Sequence, residues 1–210
     1  MKFFITIILT LFTFLTNSSQ TIDRFISKEY KSISINCDTI YKNKNYNLEL
    51  KSINPIQERN NTAKYVFLIT KILNEQTSEI IYKDTILSTT QEVLFIDFNN
   101  DGIKDILIQN TSSARSNQTY NLYLVDTIKD EIKKIKGFHK IPNPNYLAEY
   151  NLIDNYVLSG INWPSFYKIQ SDSIIDYGIV IYDTQSDEGI FEAEYKRSIK
   201  EILENEKNRE

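Results

Sequence analysis

Short runs of alternating apolar and polar residues fill the chain from residue 30 onward and constrain its fold more than any other feature. Each run is rich in Ile, Tyr, Phe, Leu and Val, and polar turn residues separate it from the next. A period of two with this composition is typical of β-strands that bury one face. The runs are Ser32–Ile40, Tyr46–Ile53, Lys64–Ile72, Glu79–Ile86, Glu92–Phe98, Lys104–Gln109, Thr119–Asp126, Ile132–Phe138, Asn151–Leu158, Ser165–Gln170 and Ser173–Tyr182.

The even spacing of these runs predicts an all-β fold of antiparallel strands. A propeller-like arrangement fits the spacing, and a β-sandwich is the alternative. No internal repeat period is visible, so the pattern alone does not establish a propeller. With only 5 glycines and 4 prolines, long flexible linkers are not expected, and we expect residues 21–210 to form a single β-rich domain.

The C-terminal segment Glu192–Arg209 breaks the strand pattern because it is rich in Glu and Lys. Its apolar residues recur at helical spacing, which predicts one amphipathic helix. These residues are Phe191, Tyr195, Ile199, Ile202 and Leu203. We expect the helix to pack on the sheet, and a helix that mediates partner binding or assembly is the alternative.

The N-terminus has the layout of a secretory signal peptide over residues 1–20. Lys2 supplies positive charge, Phe3–Leu15 are apolar apart from threonines, and the small polar residues Asn17–Ser19 follow. This run is too short to span a bilayer as a helix; an N-terminal membrane anchor is the alternative. No cysteine ends the run for acylation, and no comparable apolar stretch follows Gln20. We therefore expect a periplasmic or secreted protein without a membrane span in the mature chain.

Composition and single residues argue against several classes of function. Basic residues are scattered through a chain of net charge −4, so no nucleic-acid interface is expected. His139 is the only histidine, which excludes a histidine-based zinc site. It is also the only candidate base for a catalytic triad, and we interpret it as a surface residue. Cys37 is the only cysteine, so no internal disulfide can form, and we expect a buried, inert thiol. We identify no catalytic residues and no nucleotide-binding motif, although paired carboxylates of a glycan-acting enzyme remain open.

The segment from Phe95 to Ile108 carries oxygen-bearing side chains at alternate positions around Gly102. Calcium takes six to eight oxygen ligands, and a tightly curled loop can bring alternate side chains to one ion. Glycine permits the sharp turn that such a loop requires. The predicted calcium ligands are the side chains of Asp97, Asn99 and Asp101, the inward carbonyl of Ile103, and Asp105 directly or through water.

The flanks distinguish this loop from an EF-hand, which needs helices on both sides and a Glu at loop position twelve. That position is Ile108, and Val93–Ile96 and Ile106–Ile108 are strand formers. Magnesium is disfavoured because it requires tighter octahedral geometry. The alternative to a metal site is an Asn-Asp-Gly turn with solvated side chains. The sequence thus predicts a fixed structural calcium site between two strands.

The pattern Asp-x-Asn-x-Asp-Gly-x-x-Asp resembles the calcium loop of FG-GAP and VCBS-type repeats in integrin-like propellers. Beyond the loop, the order of several motifs is similar to a family of bacterial periplasmic calcium-binding proteins with a propeller-like β fold. That family includes an immunity protein that inhibits a lysozyme-like effector. The likeness covers roughly residues 90–182 and rests on the motifs Thr119–Leu124, Lys136–Phe138, Ile141–Tyr146, Leu158–Gly160 and Phe166–Lys168.

This resemblance implies a binder or inhibitor role, with a protein partner such as a lysozyme-like hydrolase. We therefore expect an exported calcium-binding protein that acts as a protein-binding module, and an inhibitor of a cell-wall hydrolase is its most specific form. A glycan-acting enzyme and a structural surface or adhesion protein are the alternatives. We expect the calcium loop to hold the polar segment Gln109–Gln118 in place. Trp163, in a turn-rich stretch, is either a core residue or an exposed anchor for a partner.

Overall fold

Antiparallel strands and one C-terminal helix make up the computed structural model, which describes residues 23–25, 32–53, 62–184 and 188–208. The predicted signal peptide, residues 1–20, lies outside the described residues. The strands are β1 (Asp23–Phe25), β2 (Ile33–Asn36), β3 (Tyr46–Ser52), β4 (Ala63–Asn74), β5 (Thr77–Ser88), β6 (Val93–Ile96), β7 (Asp105–Ser112), β8 (Gln118–Asp126), β9 (Glu131–Lys134), β10 (Pro144–Leu147), β11 (Leu152–Asn155), β12 (Ser165–Gln170) and β13 (Ser173–Val180). The helix α1 spans Glu188–Lys207.

The strands form three sheets that follow one another along the chain. The first sheet has the order β2-β3-β4-β5, the central sheet β1-β6-β7-β8-β9, and the third sheet β10-β11-β12-β13. Every pairing between these strands is antiparallel. The predicted antiparallel β fold with a C-terminal helix is therefore confirmed.

The central sheet is covered on both faces because its strands are apolar at successive positions. Val93 and Phe95 face the first sheet, whereas Leu94 and Ile96 face the third. The buried residues between the first and central sheets include Tyr46, Leu48, Leu50, Tyr65, Phe67, Ile69, Ile106, Ile108 and Tyr123. Those between the central and third sheets include Phe98, Leu107, Tyr120, Leu122, Ile135, Phe138, Ile141 and Ile153. Continuous apolar runs such as Ile106–Ile108 suit a strand that is buried on both sides.

The helix α1 covers the outer face of the third sheet, as its amphipathic pattern predicts. Ile199 and Ile202 are buried against Leu152, Phe166 and Ile181. Fully burying one such side chain contributes about 1.5–3 kcal/mol. The helix begins one turn earlier than the sequence pattern indicates. Within the described ranges, no helix combines the length and the apolar character needed to cross a bilayer.

Polar contacts hold the middle and the C-terminal end of α1 against the sheet. Tyr195 donates a hydrogen bond to the buried carboxylate of Asp154 on β11. Near the C-terminal end, Glu206 accepts hydrogen bonds from Lys168 and Tyr177. The helix is thus an integral part of the third sheet's packing.

Two strands were not anticipated from the sequence. β1 is only three residues long and pairs with β6, with Asp23 opposite Phe95. β10 begins at Pro144, in a segment whose prolines indicate a turn. Proline is tolerated there because it is the first residue of an edge strand, where no ladder hydrogen bond from its nitrogen is needed.

Candidate metal site

The predicted loop connects β6 to β7 at one end of the central sheet. Ile96 and Asp105 are paired across the two strands, so the chain must reverse within the eight residues between them. Asn100 and Gly102 both adopt left-handed backbone angles, with φ of 59° and 83°. Asn tolerates this conformation and Gly adopts it without strain, which explains how the sequence closes the turn.

Three side chains fold into the loop and accept hydrogen bonds from its own backbone. Asp97 Oδ1 accepts from the amides of Asn99 and Asp101, both at 3.3 Å, and its Oδ2 accepts from Gly102 at 2.9 Å. Asn99 Oδ1 accepts from the amide of Asp101 at 3.1 Å. Asp101 Oδ1 in turn accepts from the amide of Ile103 at 2.7 Å. Asp97, Asn99 and Asp101 are therefore brought together, as the spacing predicts.

Asp105 lies below the loop as a fully buried carboxylate. Its Oδ2 accepts from the amide of Phe98 at 2.8 Å, and its Oδ1 accepts from the amide of Val125 on β8 at 3.0 Å. Burial raises the pKa of this carboxyl to about 8; these two amides oppose the rise, and the carboxylates of Asp101 and Asp97 add to it. Asp105 thus connects the base of the loop to β8. It also lies within the electrostatic field of the loop carboxylates Asp97 and Asp101.

The acidic side chains do not converge as a completed metal centre. In the described part of the chain, no group of three or more His, Cys, Asp or Glu side chains is arranged to hold an ion. The amide Nδ2 of Asn99 donates to Asp101 Oδ2 at 2.8 Å, so part of the ligand set is bonded internally. Ile103 packs its side chain against the first sheet's core, and the inward direction of its carbonyl stays a prediction.

The loop touches all three sheets. Tyr41, which precedes β3, donates its hydroxyl to the carbonyl of Lys104 at 2.8 Å. Phe98 packs edge-on against Phe138 and at a tilt against Tyr146 of β10, with ring centroids 5.3 and 5.7 Å apart. With the bond from Val125 to Asp105, these contacts make the loop a junction of the whole β-scaffold.

The negative potential of the loop extends to its neighbours. The pKa of the Tyr146 hydroxyl is raised to about 12, first by burial and then by the carboxylates of Asp97, Asp105 and Asp101. On the other side, an open groove of about 330 Å³ borders residues 102–104 and carries Lys42, Lys44 and Lys104 in its lining. One of these lysines, Lys44, is paired with Asp130 at 3.7 Å.

The opposite end of β7 is organised by Gln109, a residue whose role was not anticipated. Gln109 ends the predicted strand Lys104–Gln109 and begins the polar segment Gln109–Gln118, but its side chain is completely buried and β7 continues to Ser112. Its Oε1 accepts from the backbone amides of Thr89 and Thr90 at 2.9 and 3.1 Å. Strand alternation places Gln109 on the same face as Asp105, and this alternation was the sequence signal that could have predicted its burial.

The expectation that the calcium loop holds the segment Gln109–Gln118 in place is not met. The exposed turn is confined to residues 113–117, and β7 separates it from the metal loop. Asn117 instead exchanges two hydrogen bonds with the backbone of Leu158, each 2.8 Å long. The turn is therefore fastened to the third sheet.

The sequence also singled out His139, Cys37 and Trp163, and their surroundings do not support a catalytic role. His139 is exposed on a short 3-10 turn, and partial burial together with Lys134 and Lys140 lowers its pKa. Cys37 is fully buried, and this burial raises the pKa of its thiol to about 12, which keeps it protonated and unreactive. Trp163 is half-buried and belongs to none of the core clusters described above.

No protein-family model, curated protein or solved structure matches this chain.

Proposed function

We propose that this chain is an exported calcium-binding protein in which the loop Asp97–Asp105 stabilises a β-scaffold that binds a protein partner. The observation that carries the proposal is the inward folding of Asp97, Asn99 and Asp101 around the loop's own amides. These bonds hold carboxylate and amide oxygens at the centre of a rigid turn. The partner class implied by the family resemblance is a cell-wall hydrolase, which the protein would inhibit.

The donor set fits calcium in its chemistry. Carboxylate and amide oxygens are hard ligands, and calcium accepts six to eight of them in a flexible geometry. Asp97 Oδ2 and Asp101 Oδ1 each accept one amide hydrogen bond and so keep a lone pair for an ion. Asp97, Asn99 and Asp101 would hold the ion, and Asp105 would face it from below. Rotation of the Asn99 side chain would release Asp101 Oδ2 from its internal bond.

A bound cation would also relieve repulsion among the carboxylates. Asp97 and Asp101 both raise the pKa of Asp105, so their charges act on one another across the loop. An ion placed among them neutralises charge that is otherwise unfavourable. Its chemical contribution would be structural charge balance and not catalysis.

A propeller-like arrangement of the three sheets is part of this proposal. Each sheet has four consecutive antiparallel strands, apart from the extra β1, and the sheets stack in chain order. Consecutive four-stranded blades are what propellers use, and the FG-GAP and VCBS-type resemblance points the same way. In such a scaffold the connecting loops present the surface for a partner.

Calcium binding is tested by isothermal titration calorimetry on residues 21–210. We expect one calcium per chain, with magnesium giving a weaker signal. Asp101→Ala should abolish the calcium heat, while Asp172→Ala, which removes a surface aspartate paired with Lys136, should keep it. Equal calcium heat from the Asp101→Ala variant would overturn the assignment of the loop.

The partner is tested by capture on immobilised protein in calcium, followed by activity assays on any recovered hydrolase. The proposal expects a cell-wall hydrolase that loses activity in the complex. A protein that is captured equally well after Asp97→Ala and Asp101→Ala in chelator would bind independently of the loop. Recovery of no hydrolase would contradict the inhibitor role.

A further inference from the structure

The far end of the third sheet carries a row of large side chains on the face opposite α1. Val157 and Trp163 form an antiparallel bridge with N–O distances of 2.9 and 3.3 Å. Asn162 bridges Asp183, whose amide donates to the Asn162 carbonyl at 2.8 Å. Antiparallel pairing in this register sets Trp163 directly opposite Tyr182. Opposed residues carry their side chains on one face, about 4.5–5.5 Å apart at Cβ.

Val180, paired with Ser165, lies on the same face two residues before Tyr182. We call the surface formed by Trp163, Val180 and Tyr182 the aromatic platform. Tyr182 is 61% exposed and Val180 is 43% exposed, while Trp163 is half-buried between its neighbours. Ile181, which points the other way, is buried against the helix. The platform is therefore a partly exposed surface on the face of the third sheet that points away from α1.

The surroundings of the platform are almost free of charge. In residues 155–167, 178–184 and 110–121, the only charged residues are Asp183 and Arg115, although 25% of the whole chain is charged. The polar side chains there are Ser, Thr, Asn, Gln and Tyr. Such a surface can form hydrogen bonds through hydroxyl and amide groups, but it has almost no charged side chains that could bind an ionic ligand.

The turn at residues 113–117 forms a fixed polar rim beside the platform. Asn117 is bonded through its side chain to the backbone of Leu158, and Asn143 Nδ2 donates to Asn117 Oδ1 at 3.0 Å. Ser113 Oγ accepts from the amide of Asn117 at 3.2 Å, which orders the turn internally. The rim is thus preorganised, which lowers the entropic cost of binding.

We propose that the aromatic platform binds a neutral oligosaccharide. The C–H face of a pyranose ring is apolar and stacks on an aromatic face, whereas its hydroxyl groups need uncharged donors and acceptors at the edge. The pairing puts the rings of Trp163 and Tyr182 on one face, and the turn at residues 113–117 supplies amides and hydroxyls. The near absence of charge favours a neutral glycan over an ionic ligand. This site goes beyond the calcium-dependent partner binding and uses none of the loop's residues.

The chain's single tryptophan makes the test direct, because every change in tryptophan emission reports on Trp163. The protein, in calcium, is titrated with neutral hexasaccharides of β-1,4-linked N-acetylglucosamine, glucose and mannose and of α-1,4-linked glucose. We expect a saturable emission change with at least one of them and none with an acidic polygalacturonate hexamer. The absence of any saturable change with all four neutral sugars overturns the proposal.

Variants locate the binding. Tyr182→Ala should weaken the affinity for the active sugar about tenfold or more, as loss of a stacking aromatic does. Tyr182→Phe should retain most of it, since the ring is kept. Ile80→Ala, at a similarly exposed site on the first sheet (58%), is the matched control and should bind like the wild type. Unchanged affinity of Tyr182→Ala for the active sugar would contradict a glycan site. Because the Asp101→Ala variant leaves the platform intact, its sugar binding separates this result from the calcium proposal.

Discussion

Two regions of this molecule each bury an aspartate, but the groups that surround the two carboxylates differ. Asp105, at the base of the loop, is held by the backbone amides of Phe98 and Val125 and lies in the field of Asp97 and Asp101. Asp154, between the third sheet and α1, is held by side-chain donors from Tyr195 and Asn145.

In both regions burial raises the carboxyl pKa, to about 8 for Asp105 and to about 6 for Asp154. Only at Asp105 do neighbouring carboxylates add to the rise. Among the described residues, no second carboxylate shifts the pKa of Asp154. The loop therefore brings several carboxylates together, an arrangement suited to a cation, whereas Asp154 is surrounded by neutral hydrogen-bond donors.

The largest expected effect comes from removing each buried acceptor. Asp105→Ala leaves two buried amides without a partner and should lower the free energy of unfolding by about 4 kcal/mol. Asp154→Ala should cost about 1 kcal/mol at pH 7, because Asn145 is exposed to water and a buried charge disappears. Urea unfolding in chelator measures both. Equal losses would show that backbone and side-chain donors matter alike.

The next effect is the dependence of stability on pH through Asp154. Its pKa is about 6 when folded and about 3.9 in an unfolded chain. Between these values the folded state binds the proton more tightly. This group's contribution to the free energy of unfolding is therefore greatest below about pH 4, falls as pH rises, and is constant above about pH 6. The total fall should be about 3 kcal/mol.

Asp154→Asn should remove this dependence, so the stability difference between wild type and variant must change across pH 4 to 6. Asp172→Asn is the control, because Lys136 lowers the pKa of the exposed Asp172 and gives a dependence of opposite sign. Denaturation midpoints at a series of pH values supply the curves. A flat difference curve for Asp154→Asn would refute the role assigned to Asp154.

A slightly smaller effect is the stabilisation by calcium, which should depend on the loop and not on Asp154. At a calcium concentration one hundred times the dissociation constant, the wild type should gain about 2.7 kcal/mol over the chelated protein. Asp154→Asn should keep this gain in full, since distant sites act additively. Asp97→Ala should lose it. Thermal unfolding with and without calcium measures the gain, and a reduced gain in Asp154→Asn would mean that the regions are coupled.

The smallest effect concerns one hydroxyl at the helix interface. Tyr195→Phe removes a hydrogen bond that lowers the pKa of Asp154, so that pKa should rise further. The protein should lose about 1 kcal/mol at pH 7, and the pH-dependent window should extend upward. Tyr182→Phe, on the same sheet but away from α1, should change neither quantity.

Most strands could be predicted because alternation is a local property of the chain. β10 was missed because Pro144 indicates a turn unless its place at a sheet edge is known. β1 is too short to show a pattern, and its pairing partner β6 lies far along the chain. The stacking order of the sheets leaves no repeat in the sequence, since each sheet packs against different neighbours.

The loop was predictable to the level of Asp97, Asn99 and Asp101, because their spacing and Gly102 determine a local turn. The hydrogen bond from Val125 to Asp105 could not be predicted, because only the pairing of β7 with β8 brings the two residues together. The burial of Gln109 could not be predicted from its polarity, because it depends on hydrogen bonds from the turn at Thr89 and Thr90.

The pairing of β1 with β6 affects the order in which the chain can assemble. The whole first sheet, β2 to β5, lies between these two strands along the chain. Its hairpins join neighbouring strands and can form as soon as they are synthesised, but β1 must wait until β6 exists. When β1 then docks, it closes a long loop around a sheet that is already formed, at a cost in entropy that grows only slowly with loop length. The first described strand of the chain can therefore pair only after the four strands of the first sheet have been synthesised.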